Sequence, residues 1–282
     1  MKNLPIGFID SGFGGLTVAR QSLRQLPNES IIYFGDSARV PYGPRPLEEV
    51  KEYIWQMTNF LLAKGIKMLV IACNTGTAAA LKEVREALSI PVIGVIHPGS
   101  RAAIKQTHNR RIGVIATEGT IKSQVYKQAL LEKVENLTVY SMACPEFVTI
   151  VEENRVGDFE TQGIVNERLK PFVDNGVDAL ILGCTHFPIM RGAIQEAVGE
   201  SIQLIDSGVE TINEVSTLLD YFGLSRTAND AKQFPSTQVF YTTGEVNHFA
   251  KVAKNWLHKE TIEVIQCEVK GNVLIETNHS EP

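Results

Sequence analysis

Residues Lys64–Thr75 read KGIKMLVIACNT, and residues Asn175–His186 read NGVDALILGCTH. Each stretch passes a glycine, runs through unbroken apolar residues and ends on a cysteine followed by small polar groups. Apolar residues at successive positions, rather than alternate ones, suit a strand buried on both faces, as in parallel sheets covered by helices. A turn and a helix cap are expected after each cysteine. Asn74, Thr75 and Gly76 follow Cys73, while Thr185, His186 and the early-helix residue Pro188 follow Cys184.

Similar runs recur on either side of these two. They lie at Ile6–Ile9, Ile31–Phe34, Val92–Ile96, Ile112–Ile115, Leu137–Tyr140, Ile202–Ile205 and Gln238–Tyr241, with Met68–Ala72 and Ala179–Leu182 inside the quoted stretches. Helical periodicity fills intervals such as Leu47–Leu62 and Ala78–Leu88. Strand and helix in alternation predict an α/β fold with right-handed crossovers, which binds ligands at the carboxyl ends of its strands.

The runs also repeat in order. IGFIDSGFGGLT from Ile6 echoes IGVIATEGTIKS from Ile112, and the run at Ile31 echoes that at Leu137, both at a spacing of 106 residues. The two quoted stretches, and likewise IPVIGVI from Ile90 and SIQLIDS from Ser201, are spaced by 111. We read a duplication: two pseudo-symmetric lobes, each with a mainly parallel sheet flanked by helices, and an active site in the cleft between them. With crossings at Pro98-Gly99 and Ser207-Gly208, residues 1–98 plus 208–282 form the first lobe and residues 99–207 the second. Residues beyond Ser207 have no counterpart in the repeat and are expected to extend the first lobe.

Composition narrows the function. Of 282 residues, 44% are hydrophobic and 21% charged, enough to bury a core and too apolar for a disordered chain. Against 27 basic residues stand 32 acidic ones, with no long basic run, so nucleic acid is not an expected partner. The longest apolar stretches, such as Met68–Cys73, fall far short of the roughly 20 residues that span a bilayer. The opening MKNLPIGFID lacks the apolar centre of a signal peptide. A cytoplasmic protein without a membrane partner is therefore expected. The four cysteines are too sparse for a disulfide scaffold, and Cys144 and Cys267 read as core residues. Cys184 and His186 have no second cluster of ligands, so no metal is expected.

Cys73 and Cys184 are different, because polar groups follow both and the repeat makes them mates. A thiol at a helix N-terminus is expected to have its pKa lowered from about 8.5. Disulfide exchange usually needs Cys-x-x-Cys, which is absent, and a single nucleophilic cysteine needs no second thiol. Two thiols facing a small carbon acid suit another task. One removes a proton from Cα, the other returns a proton to the opposite face, and the product is the mirror image.

IDSGFGGLTV, YFGDSARVPYG, IACNT, TEGTIKS and LGCTHFP, in this order and spacing, resemble the glutamate racemases of the cofactor-independent aspartate/glutamate racemase superfamily. The resemblance runs from about Gly7 to Glu210. It implies a two-lobed α/β fold, no cofactor or metal, and interconversion of L- and D-glutamate for peptidoglycan synthesis. It further implies that Cys184 deprotonates L-glutamate and Cys73 deprotonates D-glutamate, with Glu152 near His186. Asp10, at a strand end, can accept from the substrate ammonium, and His186 can tune Cys184 near neutral pH. Ser11, Asn74, Thr75, Thr117 and Thr185 offer hydroxyl or amide groups at strand ends. The backbone N–H groups of Tyr42 and Gly43 match the family's cradle for the side-chain carboxylate. Asp36 is a weaker correspondence, since Asp-Ser there also suits a simple turn.

Other readings compete. Gly12-Phe13-Gly14-Gly15 after a strand, with Asp36 beyond, hints at a dinucleotide site, but the third glycine position falls on Thr17 and Asp10 crowds the turn with negative charge. Aspartate racemase is the nearest alternative in the same superfamily. A non-catalytic amino-acid-binding module would need Asp10, Asn74 and the threonines but neither thiol. Against the family pattern, His97 stands where many relatives are acidic, Ala116 replaces a glycine, and Gly76 follows Asn74-Thr75 at a helix start. A homodimer is compatible with the sequence without being specified by it.

Overall fold

A computed structural model describes residues 1–277 of the chain. Its strands are β1 (Ile6–Asp10), β2 (Ile31–Gly35), β3 (Met68–Ile71), β4 (Val92–Gly94), β5 (Arg111–Ala116), β6 (Thr138–Ala143), β7 (Ala179–Gly183), β8 (Gln203–Asp206), β9 (Gln238–Thr242), β10 (Glu263–Lys270) and β11 (Val273–Glu276). Its helices are α1 (Leu16–Gln25), α2 (Leu47–Lys64), α3 (Asn74–Ala87), α4 (Ile96–Gln106), α5 (Glu118–Lys122), α6 (Val125–Leu131), α7 (Pro145–Glu152), α8 (Phe159–Asp174), α9 (Arg191–Val198), α10 (Ser207–Tyr221), α11 (Ala228–Gln233) and α12 (Val246–Leu257). The strands form two sheets, ordered β11-β10-β9-β2-β1-β3-β4 and β6-β5-β7-β8. All pairs are parallel except β10 with β11.

The duplicated sequence reappears as duplicated topology, since β2-β1-β3-β4 has the same order as β6-β5-β7-β8. At the centre the agreement is residue for residue. Ile6 pairs with Met68 and Ile112 with Ala179, which are the positions related by the sequence spacings. Outward it slips: Ile6 pairs with Ile31, but Ile112 pairs with Val139, two residues beyond the repeat mate Leu137. The residues after Ser207 supply β9, β10 and β11, which extend the larger sheet from β2.

Helices cover both faces of both sheets, giving four apolar clusters. The central strands β1, β3 and β7 are buried at every position, as their continuous apolar runs predict. Helix α2 starts with Glu48 and Glu49 and ends with Lys64, favourable at either end of its dipole. Gly65, at φ +78°, then turns the chain in a conformation that costs other residues.

The run Val92–Ile96 is strand only as far as Gly94. Val95 joins the core of the larger sheet, and Ile96 opens α4 in the core of the smaller one. Pro98-Gly99 thus lies inside α4, while Ser207-Gly208 opens α10, whose Ile212, Val215 and Leu219 pack on the larger sheet. On this packing we propose lobe limits near these two crossings. No helix among the described residues is long and apolar enough to cross a membrane.

Candidate active site

The carboxyl ends of β1, β3, β5 and β7 open onto one cavity of about 200 Å³. The larger sheet contributes Ser11, Cys73, Asn74, Thr75 and the loop Val40–Pro44; the smaller contributes Thr117, Cys184, Thr185 and His186, with Glu152 at the end of α7. Of the residues singled out in the sequence, Ser11, Tyr42, Gly43, Cys73, Asn74, Thr75, Thr117, Glu152, Cys184, Thr185 and His186 line this space together. Asp10 does not. It is fully buried behind the wall, with Oδ2 accepting the Gly12 N–H at 3.0 Å and Oδ1 without a partner. The glycine turn closes over it: a Cβ on Gly15 would stand 2.5 Å from the Asp10 Cβ. Burial raises the Asp10 pKa against the lowering pull of the Gly15 N–H and His186.

The two thiols sit in unlike surroundings. Cys73 caps α3, its Sγ accepting the Gly76 N–H at 3.3 Å, with Ser11 Oγ at 3.9 Å. The helix terminus alone would lower its pKa, and the balance runs the other way. Burial, with Asp10 nearby, pushes the thiol up to about 12, and the Gly76 N–H and Ser11 offset only part of this. Cys184 is not followed directly by an α-helix. A 3₁₀ turn over Phe187–Met190 intervenes, holding Pro188, which has no N–H to offer the loop, and α9 begins only at Arg191. What faces Cys184 is an imidazole, with Nδ1 of His186 lying 3.7 Å from Sγ. His186 Nε2 lies 3.2 Å from Glu152 Oε1, whose side chain is a third exposed. Burial works against the imidazolium, but Cys184 and Glu152 outweigh it and raise the His186 pKa to about 10.

The remaining wall is neutral and rich in donors. Asn74 Oδ1 accepts from Tyr126 Oη at 2.7 Å, which leaves Nδ2 as a buried donor without a partner. Thr75, Thr117 and Thr120 form a hydroxyl triangle with edges of 2.9, 3.3 and 3.0 Å, joining the two sheets' loops. Beside it the Gly119 N–H donates to Gly43 O at 2.8 Å. Among the described residues no lysine or arginine lines the cavity.

Asp36, buried, organises the loop that carries Tyr42 and Gly43. Its carboxylate accepts from Arg39 Nε at 2.7 Å, from Thr243 Oγ1 at 2.8 Å and from the Tyr42 hydroxyl. On the Cys184 side the glycine turn after β1 presses on the opposite lobe. A Cβ on Gly14 would approach within 2.8 Å of the His186 ring, and Thr17 Oγ1 donates to Thr185 O at 3.0 Å.

Sequence reasoning missed Val40, Pro41, Pro44, Glu118, Pro145, Val148 and Thr149, which also line the cavity. A signal existed for the last three: with Glu152 they share one face of α7 at helical spacing. Gly76 is explained by packing, since a Cβ there would lie 2.6 Å from Ile54 Cδ1. Ala116 ends β5 in the buried core, and His97 lies on α4 away from the wall. Among the described residues no three His, Cys, Asp or Glu side chains gather as metal ligands.

Two sheets thus meet at one pocket, with a thiol contributed by each. Residues 6–215 match the family described as Asp/Glu/Hydantoin racemase, and the chain belongs to that family. Within it, the chain is 54% identical over 264 residues to the glutamate racemase of Carnobacterium sp. (strain St2), covering 94% of this chain and 98% of that one. Its fold superposes with a TM-score of 0.90 on glutamate racemase isoform RacE1 from Bacillus anthracis, at 45% identity, covering 97% and 100% of the two chains. Glutamate racemase from Francisella tularensis, in complex with D-glutamate, matches with a TM-score of 0.86 at 36% identity, covering 96% and 98%.

Proposed function

We propose that this protein interconverts L- and D-glutamate by transferring protons between Cα and the thiols of Cys73 and Cys184, supplying D-glutamate for peptidoglycan. The observation that carries this reading is the placement of two cysteines, equivalent in the repeat, at β3 and β7 on one cavity. With L-glutamate bound, the Cys184 thiolate takes the Cα proton, forming S–H while the C–H electrons remain on the substrate. The Cys73 thiol gives its proton to the opposite face, forming the new C–H bond and leaving a thiolate. D-glutamate runs the same steps backwards.

The environments fit these starting roles. Cys73, with its pKa near 12, holds a proton ready to give. The His186 imidazolium, 3.7 Å from Cys184, supports negative charge on that sulfur. Asn74 Nδ2 and the threonine hydroxyls suit the α-carboxylate, and the Tyr42 and Gly43 N–H groups suit the side-chain carboxylate. Asp10 acts from behind the wall, through the Gly12–Gly15 turn, rather than by touching substrate. The same reading places the reaction in the cytoplasm and allows a homodimer, which sedimentation would size.

The test is incubation of each enantiomer in deuterium oxide with no added cofactor. Circular dichroism should decay to zero as deuterium enters Cα. Retention of the Cα proton during racemisation would refute exchange through the thiols. L-aspartate in parallel separates the aspartate reading.

A further inference from the structure

We infer that Trp256 is a positioning residue for proton transfer at Cys184, acting through the His186 imidazole; this rests on the two-thiol reading above. Trp256 lies on α12, outside both the internal repeat and the matched region 6–215. Half-buried, its side chain packs on the core of the larger sheet and also on the cluster of the smaller sheet that contains Cys184 and Phe187. Its ring meets the His186 ring edge to face, with centroids 6.3 Å apart and planes at 89°.

The imidazole needs such a wall. Its Nδ1 is 3.7 Å from Cys184 Sγ, so a small rotation decides whether the two share a hydrogen bond. Glu152, which meets Nε2 at 3.2 Å, is a third exposed and a compliant restraint. Gly14 presses on the ring so closely that a Cβ would come within 2.8 Å. The indole is the large rigid contact, and the perpendicular arrangement is one that aromatic rings favour. Through this ring pair the C-terminal segment reaches the Cys184 side of the cavity.

A group displaced by about 1 Å can lose up to about 100-fold in rate. We expect Trp256→Ala to lower kcat/KM by about tenfold. The loss must be equal in both directions, because the enantiomers have the same free energy. The experiment is a cycle of wild type, W256A, H186N and the double variant, with W256F alongside, each assayed by circular dichroism and by calorimetric binding of D-glutamate. In the H186N background W256A should cost less than about twofold, since a residue acting through His186 has nothing left to act on. D-glutamate affinity should stay within about twofold, and W256F should recover to within about threefold, retaining an aromatic edge. Equal losses in both backgrounds would overturn the inference, as would a loss confined to affinity, or a folded W256F as slow as W256A. Should W256A fail to fold, the cycle run with W256F and folded Trp256→Leu decides by the same criteria. Failure of the wild type to incorporate solvent deuterium would instead remove the two-thiol reading, whatever Trp256 does.

Discussion

The two halves of the cavity start from one duplicated plan and end with opposite electrostatics. On the β3 side the thiol caps a helix, is buried beside a carboxyl group and is pushed up to about 12. On the β7 side the thiol leads into a 3₁₀ turn and faces a histidine raised to about 10. Equivalent backbone position therefore does not give equivalent surroundings. The decisive differences are local: the carboxyl of Asp10 behind one sulfur, and the His186–Glu152 pair beside the other. In the reaction proposed above the two thiols exchange the roles of donor and acceptor with the direction of turnover, so each of these unlike surroundings must serve both.

Replacing either sulfur is the most severe way to break the comparison. Cys73→Ser and Cys184→Ser should each reduce racemisation by at least about 1000-fold, because a hydroxyl is a much weaker base, while thermal melts stay near the wild type. Activity within tenfold of wild type in either variant would end the two-thiol scheme. Next, His186→Asn removes the support from one side only and should lower kcat/KM by about 10–100-fold, read by circular dichroism from both enantiomers. Tyr126→Phe leaves Asn74 Oδ1 without its donor. A loss of about 1–3 kcal/mol in chemical denaturation is expected, with weaker glutamate binding as the amide reorients.

The finest probe is the pH dependence of stability, which should report the two sides in different windows. A His186 pKa raised from 6.5 to about 10 means the folded state holds the proton more tightly. Its contribution is present in full below pH 6.5 and is lost as pH rises towards about 10. Cys73, raised from 9.0 to about 12, behaves in the same sense over that higher range. His186→Asn should flatten the lower window and Cys73→Ser the upper, as followed by urea denaturation at successive pH values.

Much of this plan was legible in the sequence because it is written in uninterrupted apolar runs. Those runs mark β1, β3 and β7, and the 106- and 111-residue spacings even carry the central register. β10 and β11, at the outer end of the larger sheet, are not announced by the sequence because they bury less. EVIQCEVK over Glu263–Lys270 buries only Cys267 fully, so no continuous apolar run announces it. Val95 and Ile96 read as strand in the sequence because hydrophobicity alone does not separate a strand end from a helix start. At the site, the polar residues after each strand were identifiable by position. The depth of Asp10 was not, since it depends on how tightly Gly12 and Gly15 fold back over the carboxyl. Nor could spacing place Val148, Thr149 and Glu152 on the same wall as Cys184, because α7 reaches it only through tertiary packing.

The larger sheet draws β1–β4 from residues 6–94 and β9–β11 from residues 238–276, with all of β5–β8 in between. During translation from the N-terminus, β2 must therefore wait, with one edge open, until more than 200 further residues have left the ribosome. The smaller sheet is contiguous in the chain and can close first. A nascent chain halted before residue 238 would carry both cysteines yet still present an unpaired β2, a natural handhold for a chaperone.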